Sequence, residues 1–222
     1  MSVHVFMGMS LPQEEAMKVL PAIYHPPIRR GDIPQLPEDV TLVGIIDGVF
    51  LSESSVGHRE ILTLIKKGIT VVGGGSMGAL RAMELEDAGM IGVGRIFKMY
   101  RDGVIEGDDE VALVFDPDDL TALSEPLVNM RHFLAEAVRR GVIGQEEADM
   151  IIAEMKSLYY PRRSYHELLK SASKIVDEVT LLALKKMLDS ESFDLKRMDA
   201  LEVLNTLKRL HHSSGKGRKK PI

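Results

Sequence analysis

The chain has 222 residues with 45% hydrophobic content, enough to bury one sizeable core and a smaller satellite. It holds no cysteine, which excludes disulfides, thiolate metal sites and any persulfide carried on this chain. The net charge of −5 is uneven: from Lys208 onward there are six basic residues and no acidic one, so the rest carries −11.

"MSVHVFMGMS" lacks a basic region followed by an apolar one, so no signal peptide is expected. No apolar run reaches the roughly 20 residues of a membrane helix, and a soluble, cytoplasmic protein with no membrane contact is expected. "VHVFMG" (3–8) alternates and ends in Gly8, predicting a first strand. Ser10, Pro12 and Gln13 then form an S-x-x-Q pattern, predicting a helix capped by Ser10. The proline-rich stretch 23–39 reads as loop with a short strand at its start.

"VTLVGIIDGVF" (40–50) is a near-continuous apolar run closed by Asp47-Gly48, as in a strand buried on both faces. "GHREILTLIKKG" (57–68) places Ile61, Leu62, Leu64 and Ile65 along one helical face. "ITVVGGG" predicts the next strand, Met77 to Ala88 the next helix, and "DDEVALVF" (108–115) a final strand near the edge. The expected fold is α/β: a mostly parallel open sheet with helices on both faces, Rossmann-like, followed by an α-helical C-terminal part. The boundaries read as an α/β core over 1–118, a helical extension over 119–210 and a disordered basic tail over 211–222. Nucleic acid is not the expected partner of so acidic a body.

Ligands of open parallel sheets bind outside the carboxyl ends of the strands. Gly8 with Ser10, Asp47, and Gly74-Gly75-Ser76 follow three predicted strands and should converge there. Residues 74–78 fit G-x-S-x-G in a strand-to-helix context, the pattern of a nucleophile elbow. Three readings of Ser76 stay open: a helix cap, an anion or oxyanion donor, and a nucleophile. Asp47, His58 and Ser76 would supply a carboxylate, imidazole and hydroxyl in the chain order of subtilisin-type enzymes, with Glu60 two residues beyond His58. Gly78 and Arg81 follow on the helix, but no P-loop lysine pattern can be drawn there. Asp108 and Asp109 are candidate hard-metal ligands, against the plainer reading of solvated turn carboxylates.

"FMGMSL", "PPIRRGD", "IIDGVF", "GHREIL", "GGGSMGALRAMEL", "GMIGVGRIFKMYRDG", "DDEVAL" and "SEPLVNMR", in this order, resemble the TfuA family. One departure is Met9, where the family commonly has proline. The resemblance implies an accessory role beside a YcaO enzyme in peptide-backbone thioamidation, releasing sulfide from a thiocarboxylated, ubiquitin-fold, ThiS-like carrier. It implies that the YcaO enzyme supplies ATP and Mg²⁺, with no cofactor on this chain. In methanogens the resembling member acts on a glycine of methyl-coenzyme M reductase, whose alpha subunit would be a further partner. Catalytic roles would fall to Asp47, His58 and Ser76. Gly8, Ser10, Glu60, Gly74, Gly75, Gly78 and Arg81 would hold the carrier's Gly-Gly end.

Overall fold

The computed structural model describes residues 2–50, 54–116 and 121–216. It divides into two compact units, one formed by residues 1–108 with 196–222 and the other by 109–195. The first unit is built on a five-stranded, all-parallel sheet of order β2-β1-β3-β4-β5. Its strands are β1 (Ser2–Phe6), β2 (Ile23–His25), β3 (Val40–Ile45), β4 (Thr70–Gly73) and β5 (Ile91–Gly92). This order reverses direction between β1 and β3, which makes the carboxyl ends of those two strands the topological switch point.

Side chains alternate across the sheet, and each face finds a helical cover. On one face Val3, Val5, Leu42, Val72 and Ile46 form a core with α1 (Gln13–Val19) and α9 (Leu195–Lys216). Helix α9 contributes Ala200, Val203, Leu204 and Leu207, a stripe at helical spacing. Gly44 sits opposite that stripe, and a Cβ there would lie 2.6 Å from Leu207 Cδ1. On the other face lie α2 (His58–Lys66) and α3 (Met77–Glu84). Helix α3 comes so close that a Cβ on Gly78 would stand 1.7 Å from the Ile45 carbonyl oxygen. Helix α4 (Gly94–Arg101) completes the elements of this unit that bear on the site.

The second unit packs α5 (Leu127–Arg139), α6 (Gln145–Ser157), α7 (Tyr165–Ala172) and α8 (Glu178–Ser190) around Met130, Phe133, Leu134, Ile151, Leu168 and Leu184. Two buried charges are fully used within it. Glu110 receives a bidentate pair from Arg131 at 2.8 Å each, and Arg163 donates to the carbonyl and carboxylate of Asp109. No helix among the described residues is long and apolar enough to cross a membrane.

Several local expectations are corrected. Ser10 does not cap α1, because Pro12 stands at the cap and Ser10 is turned inward to Asp47. The segment 108–115 forms a short 3₁₀ turn, Asp108–Glu110, with only an isolated bridge from Phe115 to Ala122, because Glu110 is drawn into its pair with Arg131. The fifth strand is instead Ile91–Gly92, reached after Gly89 (φ +100°) turns the chain out of α3. Helix α9 carries its apolar stripe onto the sheet, and residues 211–216 continue it where a disordered tail was expected. Residues 217–222 of that expected tail lie outside the described residues.

Candidate functional site

Asp47 follows β3 at the switch point and is fully buried. Its Oδ2 accepts the amides of Gly8 (2.8 Å) and Ser10 (3.0 Å), while Oδ1 accepts the Ser10 hydroxyl at 2.6 Å. The Lys196 ammonium, also buried, lies 3.9 Å from Oδ1. A buried carboxylate needs such company, since an unpaired one would carry a large desolvation cost. The arrangement ties three pieces of chain together: the loop after β1, the end of β3 and the first turn of α9. Gly8 permits it by lacking a side chain, because a Cβ there would meet Pro27 Cγ at 2.6 Å.

The glycine turn after β4 lies beside this clamp. Gly74 donates to the Ile45 carbonyl and Gly78 to that of Ile46, so the turn is laced to the end of β3. Gly75 takes φ +78°, and a Cβ on it would approach Ile46 Cγ2, the Lys196 carbonyl and the Ala200 amide. The first turn of α9 therefore packs directly on the Gly-Gly-Ser turn. Ser76 is 1% exposed and makes no side-chain capping hydrogen bond. Its own amide is spent on the Gly74 carbonyl at 2.9 Å. Of the amides expected to face an anion here, those of Ser76 and Gly78 are thus already engaged within the fold.

His58 and Asp47 take different partners. The imidazole Nε2 of His58 bonds Glu84 Oε2 at 2.8 Å, and Arg81 Nη1 donates to the same oxygen at 2.6 Å. Arg81 Nε also holds the Val56 carbonyl. Among the described residues, neither Asp47 nor Ser76 shares a hydrogen bond with His58. The Asp47–His58–Ser76 relay is therefore not assembled. In its place stand a buried Asp47–Ser10–Lys196 clamp and a solvent-facing His58–Glu84–Arg81 cluster, in which His58 is half exposed.

Glu60 is occupied by the amides of Gly57 and Gly31, at 3.2 and 2.8 Å, and so fixes the start of α2 to the loop after β2. Asp109 belongs to Arg163, and among the described residues no group of three or more His, Cys, Asp or Glu side chains could hold a metal ion. Asp108 opens the 3₁₀ turn.

Three residues escaped the sequence reading. Lys196 falls on the apolar stripe of α9, four residues before Ala200 and seven before Val203. A lysine in line with a buried stripe was the available signal for a buried carboxylate elsewhere. Asp199, on the same stretch, accepts the Arg95 and Ile96 amides at the start of α4 (2.9 and 2.7 Å). Burial pushes its carboxyl up to about 6, against the lowering effect of those two amides. Glu84 carried the weaker signal of i,i+3 spacing from Arg81.

A family model described as TfuA-like protein matches residues 47–164, just over half of the chain. That span opens on Asp47 and takes in His58, the glycine turn, Arg81 and Glu84. The comparison with curated proteins found no match.

Proposed function

The chain belongs to the TfuA-like protein family, and from that premise we propose that it serves a YcaO enzyme in peptide-backbone thioamidation by releasing sulfide from a thiocarboxylated, ThiS-like carrier. The family is associated with YcaO partnership and thioamidation; the carrier, the hydrolytic step and a target such as the glycine of methyl-coenzyme M reductase are part of this proposal. The observation that carries it is the family match over the strand-end residues of the sheet.

The chemistry asked for is acyl transfer to water. Water oxygen forms a bond to the thiocarboxylate carbon, the C–S bond breaks, and sulfur leaves with its electron pair, taking up a proton as hydrosulfide. The carboxylate remains on the carrier. A thioacid anion resists attack because it is already negative, so the reaction needs a cation or a proton at sulfur and donors for the tetrahedral oxyanion. In our reading Arg81 and His58 serve the first need, with Glu84 as the orienting carboxylate in the place first given to Asp47. The Gly75 amide and the Ser76 hydroxyl serve the second, and Asp47, Gly8 and Ser10 hold the strand-end loops in register. Gly78 lets α3 dock, and Glu60 braces the start of α2 beneath His58.

A second reading has its own support. Ser76 is nearly inaccessible and two amides of its turn are used internally, as suits an adaptor that docks the carrier or peptide substrate onto the YcaO enzyme without reacting. One experiment separates them: the purified protein is mixed with thiocarboxylated carrier alone, and free sulfide is measured. Sulfide release without the YcaO enzyme is expected. Carrier binding with no release would give the adaptor role instead.

A further inference from the structure

The switch-point crevice, where a doubly wound sheet would receive a ligand, is filled by the protein's own chain. After β2 the chain crosses the carboxyl ends of the strands. Pro27 sits against Gly8, the Ile28 amide donates to the Asp47 carbonyl at 2.9 Å, and the Val49 amide donates to the Ile28 carbonyl at 3.1 Å. This strap and the Asp47–Ser10 clamp occupy the space between β1 and β3. The open volume is displaced to the neighbouring strand ends, over β1 and β2.

There a cavity of about 420 Å³ is lined by Phe6, His25, Pro27, Arg29, Asp32 and Gln35, among others. Its size falls within the range of small-molecule sites. The rings of Phe6 and His25, stacked at 4.7 Å, contribute an aromatic wall. His25 is the end of a hydrogen-bonded row: Ser2 Oγ meets His4 Nε2 at 3.1 Å, and His4 Nδ1 meets His25 Nε2 at 2.8 Å. With Nε2 committed, Nδ1 is the His25 nitrogen left for a ligand. The Arg29–Asp32 turn is self-braced, since the Arg29 amide donates to Asp32 Oδ2 at 2.7 Å. Gln35 Nε2 holds the Gly31 carbonyl, and Gly31 is in turn held by Glu60. Asp32 and Gln35 are thus engaged in shaping the wall. The Arg29 guanidinium, exposed at the rim, meets no partner among the described residues.

We propose that this cavity binds the oxyanion head, carboxylate or phosphate, of a small organic anion, with Arg29 as the fixed cation, His25 Nδ1 as the second polar contact, and Phe6 and Pro27 against its apolar body. A guanidinium fork suits either head group, and both are planar or compact enough to sit between two such contacts. The site is separate from Ser76 and His58 and stands whether or not the protein releases sulfide. It also gives a role to the "PPIRRGD" segment, which the sulfur-transfer reading leaves without one.

The test uses the full chain with histidine ring resonances assigned. Three probes are titrated: inorganic phosphate, an acetylated peptide ending in Gly-Gly carboxylate, and the same peptide as its C-terminal amide. At least one anion is expected to saturate while shifting the His25 ring, and the amide is expected not to bind. Arg29→Gln should weaken that binding about 10- to 100-fold, the effect of losing one charged hydrogen-bonding partner, with the unfolding midpoint unchanged. Response to phosphate alone identifies a phosphate head on the natural ligand, and response to the peptide alone a carboxylate head. Three results would each overturn the assignment: no saturation by either anion at tens of millimolar, binding that leaves the His25 ring unmoved, or Arg29→Gln binding as well as wild type. Sulfide release is read in a separate assay, so either claim can fail alone.

Discussion

Replacing Asp47 distinguishes a clamp from a catalytic carboxylate. Asp47→Ala removes the acceptor of two amides and a hydroxyl and takes the carboxylate away from the buried Lys196 ammonium. Stranding one member of a buried ion pair costs about 3–5 kcal/mol, and each unsatisfied amide adds on the order of 1 kcal/mol. Because the losses share one relaxing loop they do not add fully, and a destabilisation of about 4–5 kcal/mol is expected. Asp47→Asn keeps the shape. Its amide oxygen can still accept from Gly8 and Ser10, and the Ser10 hydroxyl can turn to accept from the new NH₂, but the charge opposite Lys196 is gone. About 3 kcal/mol is expected for it, the low end of losing one member of a buried ion pair. Denaturant unfolding at fixed pH gives both numbers from the midpoint shift. In the same samples, sulfide release per folded molecule should stay within about tenfold of wild type for Asp47→Asn, since the residue holds loops and does not orient His58. Wild-type stability with a fall of about 10⁴-fold in release, the signature of a lost triad carboxylate, would refute the clamp and restore the relay.

The other expectations are briefer. Ser76→Ala should leave stability within about 0.5 kcal/mol, because no capping bond is lost, and should lower sulfide release about 10²-fold as a missing oxyanion donor does; release within twofold of wild type would remove Ser76 from the chemistry. Gly78→Ala should destabilise by about 3 kcal/mol despite better helix propensity, since its Cβ must push α3 off the Ile45 carbonyl and strain the Gly78–Ile46 hydrogen bond; a denaturation midpoint equal to wild type would contradict the docking of α3 on β3. Burial holds both His4 and His25 below the usual 6.5, joined at His4 by repulsion from the His25 ring, against weaker raising effects of Asp39 on His4 and Asp32 on His25. The folded state therefore binds fewer protons than the unfolded one, so their contribution is present above pH 6.5 and is lost as pH falls through the lowered values. His25→Gln should flatten that acid-side loss in a series of unfolding curves, and an unchanged slope would count against the assignment.

The sequence alone determined the local elements whose signals are local. The apolar runs of 40–46 and 69–73 can only be satisfied as strands covered on both sides, and they are β3 and β4. The stripe of Ile61 and Leu64 marks α2, and the glycine turn places a strand end against a helix start, as found. The TfuA resemblance was likewise legible, because it rests on the order of short motifs and needs no geometry. Partner choice was not legible. Asp47 faces Ser10 and Lys196, which lie 37 residues before it and 149 after it, and His58 faces Glu84. Chain order offered Asp47, His58 and Ser76 as a set, but a hydrogen bond depends on which side chains the packing of α3 and α9 brings within 3 Å. The same holds for Ser10, whose spacing to Gln13 fits a capping box while a buried carboxylate competes for its hydroxyl and wins. Helix α9 was assigned by its neighbours in sequence, yet its apolar stripe is buried against strands from the far end of the chain. An amphipathic stripe states that a face must be covered; which surface covers it is decided by the whole fold.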